Sequence, residues 1–280
     1  MSKLKVTILI ENTVGVPLGL LAEWGLSMLL EFGEERILFD VGEQGNLISN
    51  AQILGHDLRL IDRVILSHGH YDHTGGLFKF LQYRGRIPVY AHPDLFKGHY
   101  GRGVKGNADR YIGVPYCQKQ LESAGAEFHW HSEPLELSPG LWLSGEIPRE
   151  TTFEELDDRL VEFKGGNLIQ DSIRDDLSLF YMTDQGLIIL LGCAHSGLVN
   201  IVEHAKRVTG QQKVRAIIGG THLGPATPNQ ERQTMDYLRG LDLDCLAPNH
   251  CTGPVILSKL AMEFPNAFTW AMAGSTLDFS

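Results

Sequence analysis

Ser67-His68-Gly69-His70-Tyr71-Asp72-His73-Thr74-Gly75-Gly76 packs four metal-capable side chains into six residues at the end of a short apolar run, Val64-Ile65-Leu66. That run is partly β-branched and bounded by turn chemistry, so it predicts a buried strand that stops where the histidines begin. The ligands would then sit on a tight loop at the carboxyl edge of a strand. Gly69 predicts a sharp bend between the first two histidines, and Gly75-Gly76 a second turn before residues 77–81, which have helical spacing.

The mixture of residue types suits metal chemistry. Neutral imidazole is the usual nitrogen ligand of zinc, and a neighbouring carboxylate adds charge and can orient a water molecule. Two histidines two residues apart followed by Asp-His can serve two ions, His68 and His70 for the first, Asp72 and His73 for the second.

The pattern His-x-His-x-Asp-His at a strand end resembles the signature of the metallo-β-lactamase superfamily. The resemblance implies an α/β fold, a four-layer αββα sandwich with a metal site at one edge of its two sheets. It also implies a third histidine for the first ion. His195 occupies that place in Gly192-Cys193-Ala194-His195-Ser196-Gly197, after a very apolar strand. For the second ion the matching residue is His250, in Pro248-Asn249-His250-Cys251-Thr252-Gly253. Asp40, in Phe39-Asp40-Val41-Gly42, stands where the family carries an aspartate near the site. The chain departs from the pattern at the bridging ligand, normally an Asp or Cys: the matching stretch is Gly219-Gly220-Thr221-His222-Leu223, without a carboxylate. His222 is therefore expected either to bind one ion without bridging or to face the substrate. Cys193 and Cys251 each adjoin an assigned histidine and read as packed thiols beside the site rather than ligands. Together, these motifs narrow the resemblance to the branch of 7,8-dihydropterin-6-methyl-4-(β-D-ribofuranosyl)aminobenzene-5′-phosphate synthases.

At 280 residues and 43% hydrophobic content, the chain can bury the core of one domain spanning 1–280, with irregular insertions expected near 97–115 and 145–175. A net charge of −10 provides no basic face for tracking polyphosphate, so a small molecule, possibly phosphorylated, is expected rather than nucleic acid. Four scattered cysteines without Cys-x-x-Cys spacing indicate neither a disulfide framework nor a zinc ribbon, and fit a reducing cytoplasm. No signal-like or membrane-spanning stretch is evident.

Strand and helix patterns alternate along the chain, as in α/β proteins. Residues 6–10 read as a strand, 26–32 and 36–40 as a hairpin, and 177–182 and 187–191 as another. The Gly- and Leu-rich stretch ending at Trp24-Gly25 is a candidate flap. His92, between a strand and Pro93, reads as structural. The glycine-rich loop at 97–115 carries Arg102, Lys105 and Arg110, suited to an anionic group.

The expected function is a metal-dependent hydrolase of an ester, lactone or phosphoester, with Asp72 both ligand and catalytic proton carrier. A condensing synthase joining a pterin to an aminobenzene ribofuranosyl phosphate is the alternative, and a non-catalytic metal-containing sensor the third reading. The expected cofactor is zinc, one or two ions, with iron or manganese as substitutes.

Overall fold

The computed structural model describes residues 3–103 and 109–279. Lys105 lies outside the described residues. The chain divides into two compact units, one comprising Ser2–His131, Asp158–Asp171 and Met272–Ser280, the other Ser132–Asp157 and Ser172–Ala271.

The first unit is built on a seven-stranded sheet in the order Thr276–Phe279, Leu4–Ile10, Ser27–Phe32, Glu35–Phe39, Arg63–Ile65, Ile87–Ala91, Ala126–Trp130. The first four strands pair antiparallel and the rest parallel. Parallel neighbours need crossovers, and the helices Leu47–Ile53, Leu77–Arg84 and Gln118–Ala124 follow successive strands. Leu47, Ala51, Leu77, Phe80, Leu81 and Leu121 from these helices join Leu38, Val64, Leu66 and Val89 in one core. Val64 and Ile65 are fully buried, as expected of a parallel strand covered on both faces.

The insertions foreseen as irregular are partly regular. Leu160–Lys164 pairs antiparallel with Asn167–Gln170 and with His99–Gly101, and Arg110–Tyr111 completes a four-stranded sheet in the same unit. Gly165 and Gly166, both with positive φ (58° and 85°), make the hairpin turn. Asn167–Gln170 is exposed throughout, so no alternation of apolar residues marks it as a strand.

The second unit has a six-stranded sheet in the order Cys245–Asn249, Val214–Gly220, Gly186–Leu191, Ser178–Thr183, Leu141–Leu143, Leu135–Ser138. Its parallel members are joined through the helices Leu198–Thr209 and Pro228–Arg239. Leu198, Ile201, Val202 and Ala205 pack on Leu187, Ile189 and Leu191. The first helix closes on Gly210 in the left-handed region, and the second opens with the Thr227 hydroxyl accepting from the Gln230 N–H and Pro228 in its first turn. Among the described residues no helix is long and apolar enough to cross a membrane.

Candidate metal centre

Non-glycine residues with positive φ concentrate where strands end. Asp40 (58°), Ala194 (54°), His222 (52°) and His250 (51°) all lie just past a strand. Left-handed backbone disfavours a Cβ and is retained where surrounding structure imposes it, commonly at functional sites.

In the first unit, Asp40 follows Glu35–Phe39 and organises the cradle. Its fully buried carboxylate accepts from the Ser67 N–H (2.7 Å), the Ser67 hydroxyl (2.7 Å) and His73 Nδ1 (2.7 Å). Those bonds fix two tautomers. With Nδ1–H given to Asp40, His73 presents a lone pair at Nε2, which lies 3.9 Å from an Asp72 oxygen. Because Ser67 gives its only hydroxyl proton to Asp40, its oxygen accepts from His68 Nδ1 (2.9 Å), and His68 too presents a lone pair at Nε2. That nitrogen stands 3.0 Å from His70 Nδ1. A tetrahedral zinc with bonds of about 2.0–2.1 Å separates neighbouring ligands by about 3.3 Å, so the pair is spaced nearly as an ion would hold it.

Gly69 lies at a bend and Gly75-Gly76 at the turn before the helix Leu77–Arg84, as their positions in the sequence lead one to expect, and the same glycines also serve close approach. Gly69, Gly75 and Gly76 keep negative φ, but an added Cβ would strike the carbonyl oxygens of Leu95, Glu43 and Val41 respectively. His99, unmarked in the sequence reading, closes the back of the cradle: its ring meets His70 edge-on at 5.2 Å, and its Nδ1 lies 2.6 Å from Asp171. Arg110 stacks on the Tyr71 ring at 4.9 Å, while Arg102 is exposed. His92 accepts from the Asp94 N–H and caps the turn Pro93–Phe96. The stretch before Gly25 is pinned by the Asn50 amide, bonded to Leu9 and Leu21, and by Glu23, which accepts from the Glu43 and Gln44 N–H groups.

In the second unit, His195 sits two residues past Cys193 at the end of Gly186–Leu191. Arg149 donates to the His195 carbonyl (2.6 Å), and Asp176 accepts from the Ser196 N–H (2.7 Å). Burial pushes Asp176 up to about 6. Glu154 accepts from the Val199 and Asn200 N–H groups, capping the helix that follows. The His222 ring lies against His195, centroids 4.2 Å apart, with Nε2 3.3 Å from Asp157. Burial opposes charging of His222, but Asp157 and the Cys251 sulfur outweigh it and push the ring up to about 9. The two threonines Thr221 and Thr252 tie the His222 and His250 loops together at 2.9 Å. These loops also line a cavity of about 300 Å³, together with Val255, Ile256 and Lys259.

Donor atoms cluster twice in this unit. Those of Cys193, His195 and His222 lie within 4.8 Å of one another, as do those of Cys193, His250 and Cys251. The thiols thus lie within reach of the same donor sets, and Gly220 supplies the room: a Cβ there would stand 2.6 Å from Cys251 Sγ. The nitrogen and sulfur donors of these two clusters suit a borderline-soft divalent ion. The roles of Ser67, Asp157 and Asp171 escaped the sequence reading. Only Ser67, contiguous with the motif, carried a signal.

Residues 25–169 match the sequence model described as Metallo-beta-lactamase superfamily. The chain belongs to that superfamily. Over 289 aligned residues it is 31% identical to a 7,8-dihydropterin-6-methyl-4-(beta-D-ribofuranosyl)-aminobenzene-5'-phosphate synthase of Methanocaldococcus jannaschii, covering 99% of this chain and 97% of the relative. The metallo-β-lactamase fold is shared with Tm1679, described as a metal-dependent hydrolase of the beta-lactamase superfamily, at a TM-score of 0.81 and 23% identity over 98% of both chains. Zn(2+)-bound PqqB from Methylobacterium extorquens superimposes at 0.56 with 17% identity, over 98% of this chain and 99% of that one. The protein is accordingly a metallo-β-lactamase superfamily enzyme of mixed α/β fold.

Proposed function

We propose that His68, His70 and His195 hold one ion and Asp72, His73 and His250 a second, and that this centre activates water for attack on an ester, lactone or phosphoester of a small molecule. The observation that carries the reading is the tautomer set by Asp40, which turns the Nε2 lone pairs of His68 and His73 away from their hydrogen-bonded nitrogens. When bound, such ions lower the pKa of water to about 7 and polarise the scissile oxygen. Zinc is the proposed metal, since neutral imidazoles and thiols favour it over magnesium or manganese. Asp72 orients the water and carries its proton. Its neighbour His73 is held by Asp40, so the two need not move together. The cavity of about 300 Å³ beside the His222 and His250 loops would take part of the substrate.

A condensing synthase is the second reading, favoured by 31% identity to a protein of that name along nearly the whole chain. In it the same centre and His222 would position a phosphorylated aryl riboside against a pterin. A reducing compartment suits either reading, since no disulfide joins the four cysteines although Cys193 and Cys251 are close neighbours.

The test is to assay one preparation of known metal content against an ester, lactone and phosphodiester panel, and separately with a pterin and an aminobenzene ribofuranosyl phosphate. Turnover on the panel that scales with bound metal supports hydrolysis. A joined product without hydrolysis moves the assignment to the synthase, and no turnover of either kind at full metal loading contradicts both.

A further inference from the structure

The superfamily pattern wants a ligand that can touch two ions at once, and the strand tip where it normally stands cannot supply one here. Gly219 and Gly220 have no room for a side chain: a Cβ at Gly219 would strike the Leu191 carbonyl, and one at Gly220 would stand 2.5 Å from the Gly192 carbonyl and 2.6 Å from Cys251 Sγ. The Thr221 hydroxyl is committed to Thr252 (2.9 Å). His222 offers an imidazole, which cannot bridge through one atom.

The neighbouring strand fills the gap. We propose that the Cys193 thiolate is a metal ligand shared between the two ions, standing in for the missing bridging carboxylate. Cys193 is the common member of the two donor sets of the second unit: its sulfur is within 4.8 Å of donor atoms of His195 and His222, and within 4.8 Å of those of His250 and Cys251. Sulfur has lone pairs enough for two ions, where a neutral imidazole nitrogen has one. The residue is 3% exposed, so it is shielded from bulk thiols and oxidants. Ala194 in the left-handed region and Gly197 (φ 99°) flank His195 and hold this turn. Binding releases the thiol proton to solvent, and the anionic sulfur offsets part of the charge of two dications. Cys251, whose sulfur accepts from the His222 N–H at 3.3 Å, supports the loop and belongs to one set only.

The inference rests on the metalloenzyme reading above, and its test separates the two. Full-length protein is stripped with a chelator under reducing, anaerobic conditions and reloaded with Co(II). Wild type and C251S are expected to show a near-ultraviolet thiolate-to-cobalt charge-transfer band that C193S lacks. C193S should retain about half the metal of wild type. C193D, which restores a carboxylate, should recover the metal but not the band. X-ray absorption of the zinc-loaded wild type should show sulfur at about 2.3 Å, which keeps the question answerable if C193S does not fold. A band and metal content unchanged in C193S, a band that follows Cys251, or zinc without sulfur neighbours would overturn the assignment. Failure of the wild type to bind any ion would instead bring down the metalloenzyme reading itself.

Discussion

His73 gives its Nδ1 proton to Asp40 across 2.7 Å, and both side chains are wholly removed from solvent. The same carboxylate takes the Ser67 hydroxyl proton and so, through Ser67, fixes the tautomer of His68 as well. One buried aspartate thus sets the donor nitrogens of two histidines proposed to serve different ions.

Asp40→Asn should weaken metal binding by about 10–100-fold, the usual effect of losing a carboxylate that orients a ligand imidazole. Competitive titration with a chromophoric chelator would measure it. Affinity equal to wild type would mean that Asp40 only ends a strand.

Gly69→Ala should destabilise the fold by about 1–3 kcal/mol, since the new methyl meets the Leu95 carbonyl and lies 3.0 Å from His99 Nε2. Chemical denaturation would reveal it as a lowered midpoint. An unchanged midpoint would show that the loop gives way freely, against the tight backbone approach described above.

Asp72→Ala should lower turnover by about 100-fold or more while sparing the ion on the histidines of the first set. Metal content and kcat measured on the same preparation separate the two effects. Full activity in this variant would remove Asp72 from the proton-carrying role.

Asp176 has its pKa raised by burial from 3.8 to about 6. Between those values the folded chain holds a proton that the unfolded chain has released, so its contribution to stability is complete below about pH 4 and lost as pH rises through 6. Asp176→Asn keeps an oxygen for the Ser196 N–H but cannot ionise. The variant, compared with wild type in the metal-stripped state, should gain relative stability from pH 4 to pH 7. A pH-independent difference would show that the carboxyl is not held neutral.

Much of this was legible in the sequence, for reasons that particular residues make plain. Val64-Ile65-Leu66 announced a buried strand because a parallel strand covered on both faces has no polar side to hide it. The hairpin of Ser178–Thr183 and Gly186–Leu191 was equally plain, a pair of apolar runs around a polar turn with Gly186. The strands Leu160–Lys164 and Asn167–Gln170 were not, since the first pairs by backbone with the distant His99–Gly101 and the second, its hairpin partner, is exposed throughout. Asp157 and Asp171 lay unremarked in the stretch 145–175, because a carboxylate that meets an imidazole 65 or 72 positions away leaves no local pattern. The bend at Gly69 and the turn at Gly75-Gly76 were legible, whereas their second role, admitting neighbouring carbonyls, is a requirement that only three-dimensional packing exposes. Cys193 read as a packed thiol beside His195; that its sulfur lies within 4.8 Å of donor atoms in two sets is visible only in three dimensions.

The central proposal is that His70 and His195 hold the same ion, and metal content per chain in His70→Ala, His195→Ala and the double variant tests it most directly. Loss of the same single ion in all three is the predicted result. Independent losses that add in the double variant, or no loss in either single one, would contradict the account.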